Sequence, residues 1–529
     1  EPVARHLVHS CMTAETRRVL EPSCGEAVFL LAAHDLAQEL GTTPSLGGIE
    51  IHGPSAAHAR SLLLESGSAA TITEANFFAV PGSRDYDAVL GNPPFVRFHN
   101  HAGDDRSLAL DAARRAGVRL NELASSWAPF VAHATSFLAR GGALGLVLPA
   151  ELLHADYAGP VRAMLMEKFR HISLTVFTQR VFESVQEEVV LLSATGFGEG
   201  GTSVLHVSHL EDTTALGPSP AETTMTLSPG RPGERWTAAL SVNADADPTG
   251  ALIAAGAFAP MSGWGRVRLG AVTGANKYFT MTAAEKKELQ LADDEVTRIS
   301  PPGSRHLREL SFDSGDWESM LSAGASGYLF RPGTEPSAGA RRKIRAGEHD
   351  EVDRAYKCRV RTPWWRTPLL QAPDLFLTYM NARTPQLAAN HAGVHHLNSI
   401  HGAYIDEEHR ELAMGLLPLA ALNSASAVNA EFTGRGYGGG LLKLEPGEAS
   451  RWAVPSPDLV AGVSGELCAI RPRVVECLRA GNPDAATDLV DSVVLGAAGM
   501  PTPVQHRLTA ERLSLAARRA ARAKRKRIA

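Results

Sequence analysis

The sequence predicts an α/β protein. A doubly wound parallel sheet should occupy residues 1–210, and a mixed α+β region should follow it. Two observations carry this reading. Apolar runs of strand length alternate with helix-length segments, and four successive runs end on a polar or acidic residue: Glu21, Glu50, Asn76 and Asn92. Beyond Glu211 the chain turns loose, with LGPSPAETTMTLSPGRPGERW and NADADPTG, before strand-like patterns resume.

In order, RRVLEPSCGEAVFLLAAHDLAQEL reads as strand, tight turn and helix. Val19 and Leu20 end the strand, Pro22, Ser23 and Gly25 make the turn, and Phe29, Leu30, Ala33, Leu36, Ala37 and Leu40 recur at helical spacing. GGIEIHG is a second strand ending in Glu50, placed to accept bonds from ribose hydroxyls. ATITEANFF is a third, with Asn76 and Phe77 at its end, and DAVLGNPPF a fourth. A helix around Ala124–Leu138 leads to a Gly-Gly turn and a fifth strand, GGALGLVLPAELL. HISLTVF and EEVVLLSATGF add two more. Polar groups at consecutive strand ends make a ligand site at the carboxyl edge of a parallel sheet. A nicotinamide GxGxxG is absent from the first turn.

The fourth strand end, Asn92-Pro93-Pro94-Phe95, carries chemistry. Consecutive prolines fix φ and remove two backbone donors. The Asn92 amide and the Pro93 carbonyl are left as rigid acceptors beside an aromatic ring. Such a site suits a planar group bearing an NH2, which donates two hydrogen bonds while Phe95 stacks on its ring.

Bulk properties narrow the class. The 529 residues are 44% hydrophobic and 21% charged, as expected of a soluble protein of several domains, and the formal net charge is −5. Five scattered cysteines form no CxxC pair, which argues against a disulfide framework or a cysteine zinc site and fits a reducing cytoplasm. No apolar run reaches membrane-spanning length and no signal-peptide pattern opens the chain. The start on Glu1 rather than Met leaves room for preceding residues.

These motifs resemble the class I, Rossmann-like S-adenosylmethionine-dependent methyltransferases, and among them the adenine-N6 DNA methyltransferases of the gamma (TaqI-like) arrangement, cofactor motifs first and target recognition last. The resemblance implies that Glu21, Pro22, Ser23, Cys24 and Gly25 sit by the methionine part of the cofactor. It implies Glu50 on the ribose hydroxyls, Ile51 and Asn92 among the cofactor-binding residues, Asn76 at the exocyclic amine of the cofactor adenine, and Phe77 beside its ring. Asn92, Pro93, Pro94 and Phe95 become the catalytic motif, and Phe182 a second aromatic stacking on the target base. EPVARHLVHSCM resembles the segment that precedes the first motif. The chain departs from the pattern at Ala27, where a second Gly is usual, at Asn76, where Asp is usual, and at Glu1, where Thr is common.

The second half also resembles the C-terminal regions of bacterial type II adenine methyltransferases. In KCRVRTPWWRTP, Lys357, Arg359, Arg361 and Arg366 are interleaved with Trp364 and Trp365, a pattern suited to phosphate contact and stacking. GRGYGGGLLK adds Arg435 and Lys443. His391, His395, His396 and His401 lack metal-site spacing, and direct methyl transfer needs no metal. The chain ends in a basic helix or tail, residues 506–529, closing on Lys524-Arg525-Lys526-Arg527.

The expected organisation is therefore a catalytic domain (1–210), a loop-rich boundary (211–260), a target-recognition domain (261–505) and the tail. The expected activity is transfer of a methyl group from S-adenosylmethionine to N6 of a flipped-out adenine in duplex DNA, in a restriction-modification or phage-defence system. A monomer suffices, and a cognate restriction endonuclease would act separately. Alternatives are an exocyclic amine of RNA or a protein glutamine amide as acceptor, or a DNA-binding homologue weak in catalysis.

Overall fold

The structure, a computed structural model, describes residues 1–96, 103–122, 124–179, 189–217, 222–240, 248–437 and 440–524. The chain forms two compact units, Glu1–Asp245 and Ala246–Ala529.

The first unit is built on a nine-stranded sheet. Its strands are β1 (Arg18–Pro22), β2 (Ser45–Glu50), β3 (Thr71–Glu74), β4 (Tyr86–Gly91), β5 (Leu138–Pro149), β6 (Phe169–Phe177), β7 (Val189–Phe197), β8 (Leu205–Leu210) and β9 (Met225–Leu227). The spatial order is β3-β2-β1-β4-β5-β7-β6-β8-β9. β1 to β5 run parallel to one another, whereas β7 runs antiparallel between β5 and β6. The helices are α1 (Pro2–Cys11), α2 (Val28–Glu39), α3 (Gly53–Glu65), α4 (Asp104–Arg115), α5 (Trp127–Ala134), α6 (Glu151–His154) and α7 (Gly159–Lys168). Val19, Leu20, Ala88, Val89, Leu90, Leu144, Leu146 and Leu148 are buried, which is why these strands read as continuous apolar runs rather than alternating ones. Chain order reverses between β1 and β4, which opens a crevice at the carboxyl ends of those strands.

Two local expectations are revised. The Gly141-Gly142 pair is not a turn before the fifth strand. β5 already starts at Leu138 and runs through both glycines, with Gly141 at φ +82° where the register against β4 slips. The segment 211–260 is not one boundary. β9 pairs with β8, Trp236 is fully buried, and its backbone N–H donates to the Leu153 carbonyl at 2.8 Å, so 222–240 packs on the first unit. Residues 258–260 form a strand paired with Ala453–Pro455 and belong to the second unit.

The second unit is mixed α+β. A five-stranded sheet runs in the order Gly265–Leu269, Ile400–Ile405, Leu375–Thr378, Leu387–Asn390, Ser311–Phe312. A smaller sheet sets Tyr328–Phe330 between Thr280–Met281 and Val296–Arg298, and the helix Ala338–His349 packs on its core through Ala340 and Ile344. Four helices, Arg410–Ala420, Ser424–Thr433, Ser464–Arg479 and Pro483–Ala497, share the larger core. Of the basic C-terminal segment, expected as a helix or tail, residues 502–524 form a helix. The helix Thr502–Lys524 buries Leu508 and Leu515, and Arg519 pairs with Glu431 at 2.9 Å. Among the described residues no single helix is long and apolar enough to cross a membrane.

Candidate active site

The strand ends meet at the sheet's carboxyl edge. Glu21 closes β1, buried to 3% exposure, and its Oε2 accepts the Leu30 N–H at 3.0 Å, so it caps the first turn of α2. Burial is the largest influence on this carboxyl; it outweighs the Leu30 and Phe29 N–H groups and, with Glu50 nearby, lifts the pKa to about 8. At neutral pH Glu21 therefore holds its proton. The turn that follows is bent by three left-handed residues, Ser23, Gly25 and Ala27. Ala27 sits at φ +57° as the residue before α2, which explains why glycine is the usual occupant there. Gly25 has open space where a Cβ would project. Cys24, its N–H bonded to the Ile49 carbonyl at 2.9 Å, has its thiol pushed up to about 12 by burial and by Glu21 and Glu50, so it is no nucleophile.

Glu50 ends β2 and locks the same turn. Its Oε2 accepts the Gly25 N–H at 2.9 Å and its Oε1 the His52 N–H at 2.8 Å, which leaves lone pairs for a hydroxyl ligand. Ile51 follows, 63% exposed, an apolar surface beside a carboxylate. At the end of β3, Asn76 Oδ1 accepts the Phe78 N–H at 3.0 Å and its Nδ2 donates to Asp105 Oδ1 at 3.2 Å. Asp105, on the first turn of α4, brings a negative charge to the position where Asn76 lacks one. Spacing in the sequence did not single it out. Phe77 differs from expectation. It is 5% exposed, with its ring 4.6 Å from those of Phe130 and His133, so it belongs to the core and Ile51 is the open apolar face.

Asn92 leaves β4 beside this turn. A Cβ added at Gly91 would stand 3.4 Å from the Pro22 carbonyl and 3.9 Å from Glu21 Cγ. Pro93 is buried, whereas Asn92 and Pro94 are exposed and Phe95 is half-buried against the core. Among the described residues neither the Asn92 amide nor the Pro93 carbonyl has a hydrogen-bond partner. Immediately after them the backbone is pinned. Ser126 Oγ donates to the Pro94 carbonyl and accepts the Val96 N–H at 2.8 Å, and the Ser126 N–H donates to the Val96 carbonyl at 3.0 Å. Next along, Trp127 Nε1 donates to Tyr157 Oη at 2.9 Å and to Glu151 just beyond β5. Sequence reading missed Ser126, because a Ser before a helix is the commonest of caps and its role depends on a contact thirty positions away. Phe182 lies outside the described residues.

In the second unit the candidate cations divide. Lys357, Arg359 and Arg366 are exposed. Arg361 is committed to the fold, donating to the carbonyls of Thr273, at 2.8 Å, and Val272. Trp364 is half-buried, its ring tilted against that of Tyr278 at 5.6 Å and its Nε1 donating to Glu348, and Trp365 packs in the same core. Arg435 pairs with the buried Glu448, and Lys443 pairs with Glu445 at 2.7 Å while lying over Tyr379 and Tyr437. Among the described residues no group of His, Cys, Asp and Glu is arranged to hold a metal, and His401 Nε2 faces the Leu444 carbonyl at 2.7 Å.

Comparison with known proteins meets this geometry. A model of the Eco57I restriction-modification methylase matches residues 51–182, and one of the C-terminal domain of the type II methyltransferase M.Eco57I matches 233–495. The chain belongs to the type II restriction-modification methyltransferases. It is 25% identical over 475 residues to the type II methyltransferase M.XamI of Xanthomonas campestris pv. amaranthicola, covering 85% of this chain and 84% of that one. It is 22% identical over 378 residues to M.AccI of Acinetobacter calcoaceticus, covering 69% and 68%. Among solved structures, a DrdV–DNA complex aligns at TM-score 0.47 and 12% identity, over 89% of this chain and 56% of that one. This methyltransferase has the class I sheet order, with the reversed β7, and its methyl donor is S-adenosylmethionine. The edge fits that donor. When that donor is bound, Glu50 would accept from its ribose hydroxyls, the protonated Glu21 would offer its carbonyl oxygen to the amine, the open space at Gly25 would lie along it and the exposed Ile51 would face its adenine.

Proposed function

We propose that this methyltransferase modifies the N6 amine of an adenine flipped out of duplex DNA, at a specific sequence, as the modification component of a restriction-modification system. The observation that carries the reading is the unpartnered pair of acceptors on the rigid turn after β4, Asn92 Oδ1 and the Pro93 carbonyl, beside the cofactor turn. An adenine N6 amine is a poor nucleophile because its lone pair is delocalised into the ring. Accepting both of its N–H groups favours a more tetrahedral nitrogen and frees the lone pair. Phe95 supplies stacking in place of that lost from the helix. The bound cofactor supplies an electrophilic methyl on a sulfonium, so alignment rather than a covalent enzyme intermediate is required. A start on Asn rather than Ser in this motif favours adenine over cytosine. The exposed Lys357, Arg359 and Arg366 support duplex binding through the second unit.

Incubation with S-adenosylmethionine tritiated on the methyl group should label duplex DNA and not RNA, with N6-methyladenine in the digested product. Asn92→Ala should lower transfer by about a thousandfold or more, a cost of about 4 kcal/mol in the transition state, with cofactor affinity near wild type in calorimetry. Near-normal turnover of that variant, or label found only in RNA or protein, defeats the reading.

A further inference from the structure

The helix Ala338–His349 has two unlike faces. Its inner face, Gly339, Ala340, Ile344 and Gly347, is buried. The glycines are required there. A Cβ at Gly347 would lie 2.7 Å from the rings of both Trp364 and Tyr278, and one at Gly339 would lie 1.8 Å from the Leu289 carbonyl. Lys343, at the margin, lays its ammonium 4.6 Å from the Tyr278 ring. The helix is thus seated by Ala340 and Ile344, with the two glycines allowing its close approach.

Its outer face carries Arg341, Arg342 and Arg345, all exposed. At 100° per residue they fall on one arc opposite the buried stripe, with His349 in line. None of the three arginines has an ion-pair partner among the described residues. The nearby acids are engaged elsewhere: Glu348 by Trp364, Asp350 by His349 and Glu351 by Arg354. Further along the chain, Lys357 and Arg359 are exposed on the short helix Tyr356–Arg359, both over the exposed ring of Tyr356. In a chain of net charge −5, this is segregated and unneutralised positive charge.

Resting on the DNA reading above, we propose that the outer face of Ala338–His349 is the surface that contacts the sugar–phosphate backbone of duplex DNA. Guanidinium groups present a planar fork that matches phosphate oxygens, and a helix of this length spans about 18 Å. DNA carries a negative charge every ~1.7 Å along that distance. Arginines left without acidic partners give up no internal ion pair on meeting it.

The test uses the full chain and a fluorescein-labelled duplex of arbitrary sequence, with anisotropy measured over a salt series. Replacing the three together (Arg341→Gln, Arg342→Gln, Arg345→Gln) should weaken binding about tenfold or more. The slope of log K against log salt should fall by about 2–3, roughly 0.9 for each phosphate that is no longer neutralised. Cofactor affinity and the thermal melt should stay at wild type, because the replaced groups are exposed and make no ion pair among the described residues. The triple Lys variant, which keeps the charge, should retain most of the slope. An unchanged slope in the Gln variant overturns this surface while the DNA reading stands. A wild-type chain that binds no duplex overturns both. Tighter binding to an RNA duplex through the same arginines overturns DNA as the partner.

Discussion

Ser126 joins two segments with one hydroxyl, donating to Pro94 and accepting from Val96 directly after the Asn92 and Pro93 acceptors. Its removal would leave the Val96 N–H without that acceptor and loosen the turn without touching the cofactor cradle. Ser126→Ala should lower kcat by about 10- to 100-fold, worth ~1.4–2.7 kcal/mol, at unchanged cofactor affinity, and Ser126→Thr should recover part of the loss. A kcat equal to wild type would show the clamp to be idle. Glu21 makes a pH-dependent claim at the same scale. Its carboxyl keeps its proton to about pH 8 when folded, against an ordinary 4.5, so the folded state binds more protons between those values. Stability of the cofactor-free chain should then fall as pH rises from about 4.5 to 8 and level off above, by the linkage of protonation to folding. Glu21→Gln should flatten that part of the melting-temperature profile. A profile of unchanged slope would mean that the buried carboxyl ionises freely.

Elements behave differently from the residues that compose them. The basic C-terminal segment reads in sequence as a helix or tail of segregated positive charge, and Thr502–Lys524 is a helix built into the second unit. Arg519, 4% exposed, donates to Glu431 and to the carbonyls of Ala382, Arg383 and Gly440. Arg512 likewise pairs with Asp484 at 2.6 Å. Arg519→Ala should cost about 2–3 kcal/mol, since it strands a largely covered carboxylate and removes the donor to three carbonyls, and chemical denaturation should read that loss in the second unit with little change in the salt slope of DNA binding. A neutral substitution would restore the tail reading. The helix Ala338–His349 shows the converse. Its RRKIR run carries no motif, and only its burial pattern reveals that three of the four cations face outward together. Strand boundaries fare similarly. Gly141-Gly142 has the composition of a turn, yet it lies inside β5, in the irregularity between the Tyr86–Leu138 and Ala88–Ala143 pairings with β4.

For the whole molecule the expected phenotype is methylation at one sequence. A host expressing the chain should carry N6-methyladenine at a single recurring motif in long-read sequencing, and the Asn92→Ala host should carry none. Modification scattered without a motif would contradict target recognition. By itself the sequence determined the alternation that makes the α/β sheet, the polar ends of its first four strands and the rigid Asn92-Pro93-Pro94-Phe95 turn. Those features are local: a period, a proline pair and an acid at a fixed offset are readable wherever they occur. Only the tertiary structure decided which cations lack an ion-pair partner among the described residues, that Ile51 rather than Phe77 offers the open apolar face, that Asp105 backs Asn76, and that Ser126 holds the Asn92-Pro93-Pro94-Phe95 turn. Each of these depends on what a side chain meets across tens or hundreds of positions, and a residue's neighbours in space are set by packing rather than by its neighbours in the chain.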